Sequence, residues 1–248
     1  MQASEQGGPL HRKGAENAEV RRVLIFILFL LCVLCASALK NVPAALQPPL
    51  NIARMRTTHL LYLHGFRSSP QSAKAKTMAC LVATRHPAVT WWCPQLPPSP
   101  QAAMALLDAG LARWPKESTA VIGSSLGGFY ATAIAERYAC KAVLLNPAVN
   151  PARDLAGYIG EQTAWHRPDE HFYFEPRFVE ELRTLHAGAL KMPKNYLAII
   201  AIGDEVLDWR EMAARYRGAQ IQLLEGGDHA LSDFDAQLPL ILDFLSLA

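Results

Sequence analysis

The sequence predicts an α/β fold: a mostly parallel sheet flanked by helices, with a small lid insertion. Short apolar runs alternate with helix-forming stretches over most of the chain, the pattern of a sheet covered on both faces. Gly123-Ser124-Ser125-Leu126-Gly127 spells G-x-S-x-G between the apolar run Thr119–Ile122 and a stretch of helix formers. That context is a strand, a tight turn and a helix, with the middle serine held out at the top of a sheet. Two later apolar runs end in Gly203-Asp204 and in Gly226-Gly227-Asp228-His229, and functional groups of open α/β sheets collect at the carboxyl ends of strands.

Taken in order, His59–Leu63 reads as a buried strand that ends at His64-Gly65-Phe66. Ser69 is the expected N-cap, with Pro70 at the first helical position, of a helix running towards His86. Thr90–Cys93 is a strand stopped by Pro94, Pro97, Pro98 and Pro100, and Gln101–Arg113 is a helix. Thr119–Ile122 leads through the serine turn into a buried helix, Leu126–Tyr138, and Ala142–Leu145 is the next strand. Residues 151–193 interrupt the alternation and carry Trp165, Phe172, Tyr173, Phe174 and Phe178, which marks a lid. Tyr196–Ile202 and Ile221–Glu225 are strands. Between them Asp208 is placed to cap a helix Trp209–Arg217, with Glu211 completing a capping box.

The candidate chemistry follows from chain order. A serine hydroxyl needs a base within hydrogen-bond reach, and that base needs a carboxylate to orient it. In the turn-bound arrangement the order is Ser, then acid, then His, which selects Ser125, Asp204 and His229 as catalytic candidates. The backbone N–H groups of Phe66 and Leu126 are the expected oxyanion-hole donors. His64 reads as a structural residue bonding the adjacent loop, and Asp228 as a turn residue. Arg67 reads as a solvated loop residue, with contact to an anionic substrate group as the alternative. His166 and His171 flank Asp169-Glu170, but a solvated lid loop explains them better than a metal site.

These pieces resemble a known family, the small single-domain bacterial esterases of the YqiA type, within the α/β-hydrolase superfamily. The resemblance rests on Tyr62–Phe66 with Ser68-Ser69-Pro70 and Ser72–Ala75, on Gly123–Tyr130, on Leu145–Val149, on Gly203–Asp208 and on Gly227–Ala230. It runs from about Met55 to the C-terminus. It implies hydrolysis of small-molecule carboxylic esters, or of acyl thioesters, by Ser125, Asp204 and His229 without cofactor or metal. An acyltransferase, a peptidase, or a non-catalytic binding protein on the same fold are the alternatives.

Residues 1–54 form an extension outside that resemblance, and residues 55–248 form the hydrolase-like domain. Val23–Leu39 is apolar and follows Arg21-Arg22. It is short for a membrane span and long for a signal-peptide core, although Ala36-Ser37-Ala38 fits a cleavage pattern. The favoured reading is that translation begins at Met55 and the enzyme is cytoplasmic. A membrane-anchored or exported protein is the alternative, with membrane contact only if residues 23–39 are retained. The formal charge is +2 overall. Residues 1–54 hold six Lys/Arg and three Asp/Glu, leaving 18 against 19 in the remainder. That balance argues against nucleic acid as a partner. Cys80, Cys93 and Cys140 stand at scattered spacings, as free thiols do.

Overall fold

The computed structural model describes residues 56–165 and 167–247. The expectations for residues 1–54, Val23–Leu39 included, and for His166 lie outside the described residues. Among the described residues no helix is long and apolar enough to cross a membrane.

Six strands form one parallel sheet: β1 (His59–Leu63), β2 (Thr90–Trp92), β3 (Thr119–Ser124), β4 (Lys141–Leu145), β7 (Tyr196–Ala201) and β8 (Gln220–Leu224), in the order β2-β1-β3-β4-β7-β8. Side chains alternate between faces along a strand, so a central parallel strand needs apolar residues on both. Strands β3 and β7 are buried at every position for that reason. Leu61, Leu63, Val121, Leu144, Ala198 and Ile200 point into one core with helices α2 (Pro100–Leu111) and α3 (Leu126–Tyr138). Leu60, Tyr62, Ile122, Val143, Leu145 and Ile199 point into the other, against α1 (Ala73–Arg85) and α7 (Phe234–Phe244).

Helix α3 has the bounds read from the sequence. Helix α2 begins one residue earlier than expected, because Ser99 accepts from Ala102 N and caps it with Pro100 at the first position. The start of α1 is a correction. The Ser69 hydroxyl accepts from Gln71 N and its carbonyl from Ser72 N, and this turn carries the chain to Ser72 before the helix begins at Ala73. A serine followed by proline suits such a turn as well as it suits a cap.

The insertion between β4 and β7 contains a short helix α4 (Pro151–Asp154), an antiparallel hairpin β5 (Gly160–Ala164) and β6 (Arg167–Phe174), and helix α5 (Pro176–Leu185). The hairpin pairs Gly160 with Phe174 and Thr163 with His171, and its register shifts between Thr163 and Ala164. Helix α6 (Trp209–Arg215) stops short of Arg217. Asp208 caps it, accepting from Arg210 N at 2.9 Å. The expected capping box does not form. Both carboxylate oxygens of Glu211 are taken by the Arg153 guanidinium of α4, at 2.8 and 2.7 Å.

Candidate functional site

The chain leaves β1 for one neighbour, β2, and returns to pair β3 on the other side. The crevice of an open α/β sheet lies at such a switch point, and here it lies between the loop after β1 and the turn after β3. Ser125 occupies that turn with φ 55 and ψ −120, in the half of φ space that a residue with a Cβ avoids. The turn holds because its backbone is tied down. Ser125 N donates to Leu145 O at 3.0 Å, and Ser125 O accepts from Gly128 N at 2.8 Å and from Ala148 N at 3.0 Å. A Cβ on Gly123 would collide with the Gly127 backbone, and one on Gly127 with the backbone of Leu63. Ser124 is buried and Ser125 is partly open.

The three side chains named from chain order meet in space. His229 Nε2 lies 3.0 Å from Ser125 Oγ, and His229 Nδ1 lies 2.8 Å from Asp204 Oδ2. An ionised carboxylate only accepts, so Nδ1 carries the proton and Nε2 is left to accept from the serine hydroxyl. The Asp204 side chain is fully buried and that of His229 is 20% exposed. The second oxygen of Asp204 accepts from Val206 N and Leu207 N, both at 2.8 Å. These two bonds fix the carboxylate plane and satisfy the lone pairs that the histidine does not use.

Two further residues hold the histidine loop. Buried Asn146 donates from Nδ2 to Asp228 O at 2.9 Å and His229 O at 3.3 Å, while its Oδ1 accepts from Ala201 N at 2.8 Å. It thereby clamps the end of β4 to the end of β7 and to the histidine. His229 N donates to Glu205 Oε2 at 2.9 Å. Neither role was read from the sequence. The available signal was an asparagine directly after a buried strand, since Asn adopts left-handed backbone more readily than most residues and here has φ 42. Asp228 is the expected turn residue: bonds from the Ser232 hydroxyl and N–H hold its carboxyl below the ordinary carboxylate range.

His64 accepts from Leu96 N at Nε2 (3.1 Å), so its protonated Nδ1 faces Gly65 O at 3.0 Å. It is a buried structural bridge between loops, as its position suggested. The Leu126 N–H opens α3 and has no intrahelical acceptor. Among the described residues no protein acceptor takes the Phe66 N–H or the Leu126 N–H. Arg67 is half-buried rather than freely solvated. Its Nε donates to Thr163 O of the hairpin at 2.7 Å.

His171 is exposed and lies 3.5 Å from Glu161. Among the described residues no group of three His, Cys, Asp or Glu side chains could hold a metal ion. Cys80, Cys93 and Cys140 are unbridged, and burial pushes the Cys93 and Cys140 thiols up to about 12. Neither of those two is a thiolate nucleophile near neutral pH.

Parallel sheet, flanking helices, lid insertion and a serine on a strained strand-to-helix turn define the α/β-hydrolase fold. Residues 59–246 match the Uncharacterised protein family (UPF0227), and the chain belongs to that family. Solved structures share the fold at low identity. Alpha/beta hydrolase domain-containing protein 10 from mouse superposes with a TM-score of 0.59 at 13% identity, covering 77% of this chain and 91% of that one. Est1E from Butyrivibrio proteoclasticus gives 0.56 at 14%, covering 77% and 90%. Monoacylglycerol lipase from Paleococcus ferrophilus gives 0.55 at 14%, covering 78% and 96%.

Proposed function

We propose that the chain is a serine hydrolase that cleaves small-molecule carboxylic esters through a covalent acyl-enzyme. The observation that carries this reading is the hydrogen-bonded line from Ser125 Oγ through the His229 ring to Asp204, at 3.0 and 2.8 Å, on a turn that presents the serine. His229 Nε2 takes the hydroxyl proton as Oγ bonds to the ester carbonyl carbon. The tetrahedral oxyanion is held by the N–H groups of Phe66 and Leu126. The carbon–oxygen bond to the alcohol then breaks, and the imidazolium returns the proton to the departing oxygen. Water repeats the sequence on the acyl-enzyme and frees the acid. Asp204 keeps the ring in the required tautomer and stabilises its charged form without taking the proton. Est1E and a monoacylglycerol lipase share the fold; a fold alone does not carry function, so the reading rests on the site.

The test is labelling by a serine-directed fluorophosphonate, read by mass spectrometry, beside turnover of a panel of acyl esters and thioesters. The label should sit on Ser125 and disappear in Ser125→Ala, which keeps its melting temperature. Ser124→Ala should still be labelled and turn over, since Ser124 is buried behind the turn. A label that survives Ser125→Ala and vanishes in Ser124→Ala overturns the assignment. A wild-type chain that resists the reagent and leaves the whole panel intact overturns the hydrolase reading.

A further inference from the structure

Among the described residues, Arg67 carries the hydrogen bonds between the loop after β1 and the lid hairpin. Arg67 uses both its backbone and its side chain: its carbonyl accepts from Trp165 N at 2.8 Å, and its Nε donates to Thr163 O at 2.7 Å. The guanidinium carbon sits 4.2 Å from the centroid of the Trp165 ring, which adds a cation–π contact. Next to it, the Phe66 ring meets Tyr158, Phe172 and Phe174 edge-on at centroid distances of 5.6, 5.9 and 5.3 Å. Arg67 itself has φ 59, a left-handed conformation that costs a side-chain-bearing residue energy and persists only where surrounding contacts enforce it.

The consequence falls on one peptide plane. A trans peptide points its C=O and N–H in opposite directions, so whatever fixes Gly65 O also aims Phe66 N–H. Gly65 O lies 3.0 Å from His64 Nδ1 and accepts from Ser68 N at 3.2 Å. Ser68 directly follows Arg67, so the Arg67 conformation determines whether that second bond can form. The inner side of the loop is held by the body of the domain and the outer side by the hairpin.

We propose that Arg67 is a positioning residue that locks the lid hairpin to the oxyanion loop, so that the Phe66 N–H is correctly aimed only while the hairpin is docked. This rests on the donor role assigned to Phe66 above. Arg67 touches no reacting atom in this scheme; it acts through the Gly65–Phe66 peptide.

The test uses the full chain and Arg67→Asn, because Asn tolerates left-handed backbone and the change removes only the guanidinium contacts. Losing an oxyanion donor outright lowers kcat by about 100- to 1000-fold. A misaimed donor should therefore lower it about 10- to 100-fold, with KM changed by less than about threefold. Affinity for a trifluoromethyl ketone, which the serine converts to a tetrahedral adduct, should fall in parallel with kcat/KM. Amide exchange in residues 64–69 and 160–174 should speed up together, with the melting temperature nearly unchanged. Arg67→Lys, which can reach Thr163 O but cannot stack on Trp165 as a plane, should recover part of the loss. Unchanged kcat and ketone affinity in Arg67→Asn, with an active wild type, overturn this proposal alone. So does a loss seen only in KM and melting temperature. A wild type that forms no adduct with the ketone overturns the donor reading and this proposal with it.

Discussion

At the scale of single residues the candidate site contains two acids four residues apart with different partners. Asp204 is buried, gives one oxygen to His229 Nδ1 and the other to the Val206 and Leu207 N–H groups. Asp208 is exposed and caps α6 through Arg210 N. Their substitutions should therefore fail differently. Asp204→Asn should lower turnover by roughly four orders of magnitude, because an amide can leave the histidine in the wrong tautomer, while the melting temperature moves little. Asp208→Ala should lose about 0.5–2 kcal/mol of stability and keep most of its turnover. Turnover and thermal unfolding of the pair decide it: a catalytic loss on Asp208 with a stability loss on Asp204 reverses the roles. The meeting of Ser125, Asp204 and His229 was legible because each follows an apolar strand and chain order restricts the choices. Asn146 was not. It does its work through backbone atoms 82 and 83 positions along the chain, and no local pattern marks such a contact.

At the scale of elements, legibility tracks whether the hydrophobic period is clean. The core strands are continuous apolar runs bounded by Gly, Pro or charged residues. The hairpin is neither continuous nor visibly alternating. In His171-Phe172-Tyr173-Phe174 three aromatics stand together, although Phe174 is buried and Tyr173 is 61% exposed, so the two-residue period is hidden by a face-blind aromatic run. The capping-box expectation for Glu211 failed for a related reason. Its partner, Arg153, is 58 residues away on α4, and a bidentate guanidinium outcompetes a single backbone N–H. This pair makes a pH-dependent tie between the lid insertion and α6. Arg153 holds the Glu211 carboxyl below its ordinary value. A group whose folded pKa is depressed stabilises the fold above its unfolded pKa, about 4.3 for Glu, and that contribution is lost as pH falls through the folded value. Both side chains are substantially exposed, so the effect is small. The melting temperature of wild type should exceed that of Glu211→Gln slightly at pH 7, and the gap should close as the pH drops below about 4. A gap that stays constant into acid would mean that the two differ through packing.

At the scale of the whole molecule, the described domain is closed on itself from Thr57 onward. Thr57 Oγ1 donates to Leu245 O at 2.6 Å, joining the lead-in of β1 to the end of α7. Thr58 N donates to Ser118 O and Thr58 O accepts from Thr90 N, so the same segment also bridges the lead-ins of β2 and β3. Lys141 Nζ then reaches Phe244 O at 2.8 Å from the start of β4. Among the described residues, the six strands of the sheet, both faces of its core and all the proposed site residues lie beyond Met55. A chain beginning at Met55 should therefore unfold in one cooperative transition and hydrolyse esters at the rate of the full-length protein. Beginning instead at His59 removes the Thr57 and Thr58 bonds from a central strand, and should lower the melting temperature while leaving the site residues in place. Unfolding curves and turnover of the three lengths make the comparison. Aggregation or inactivity of the Met55 form would assign residues 1–54 to the domain. Equal stability of the Met55 and His59 forms would show that the Thr57–Leu245 link does not hold the fold closed.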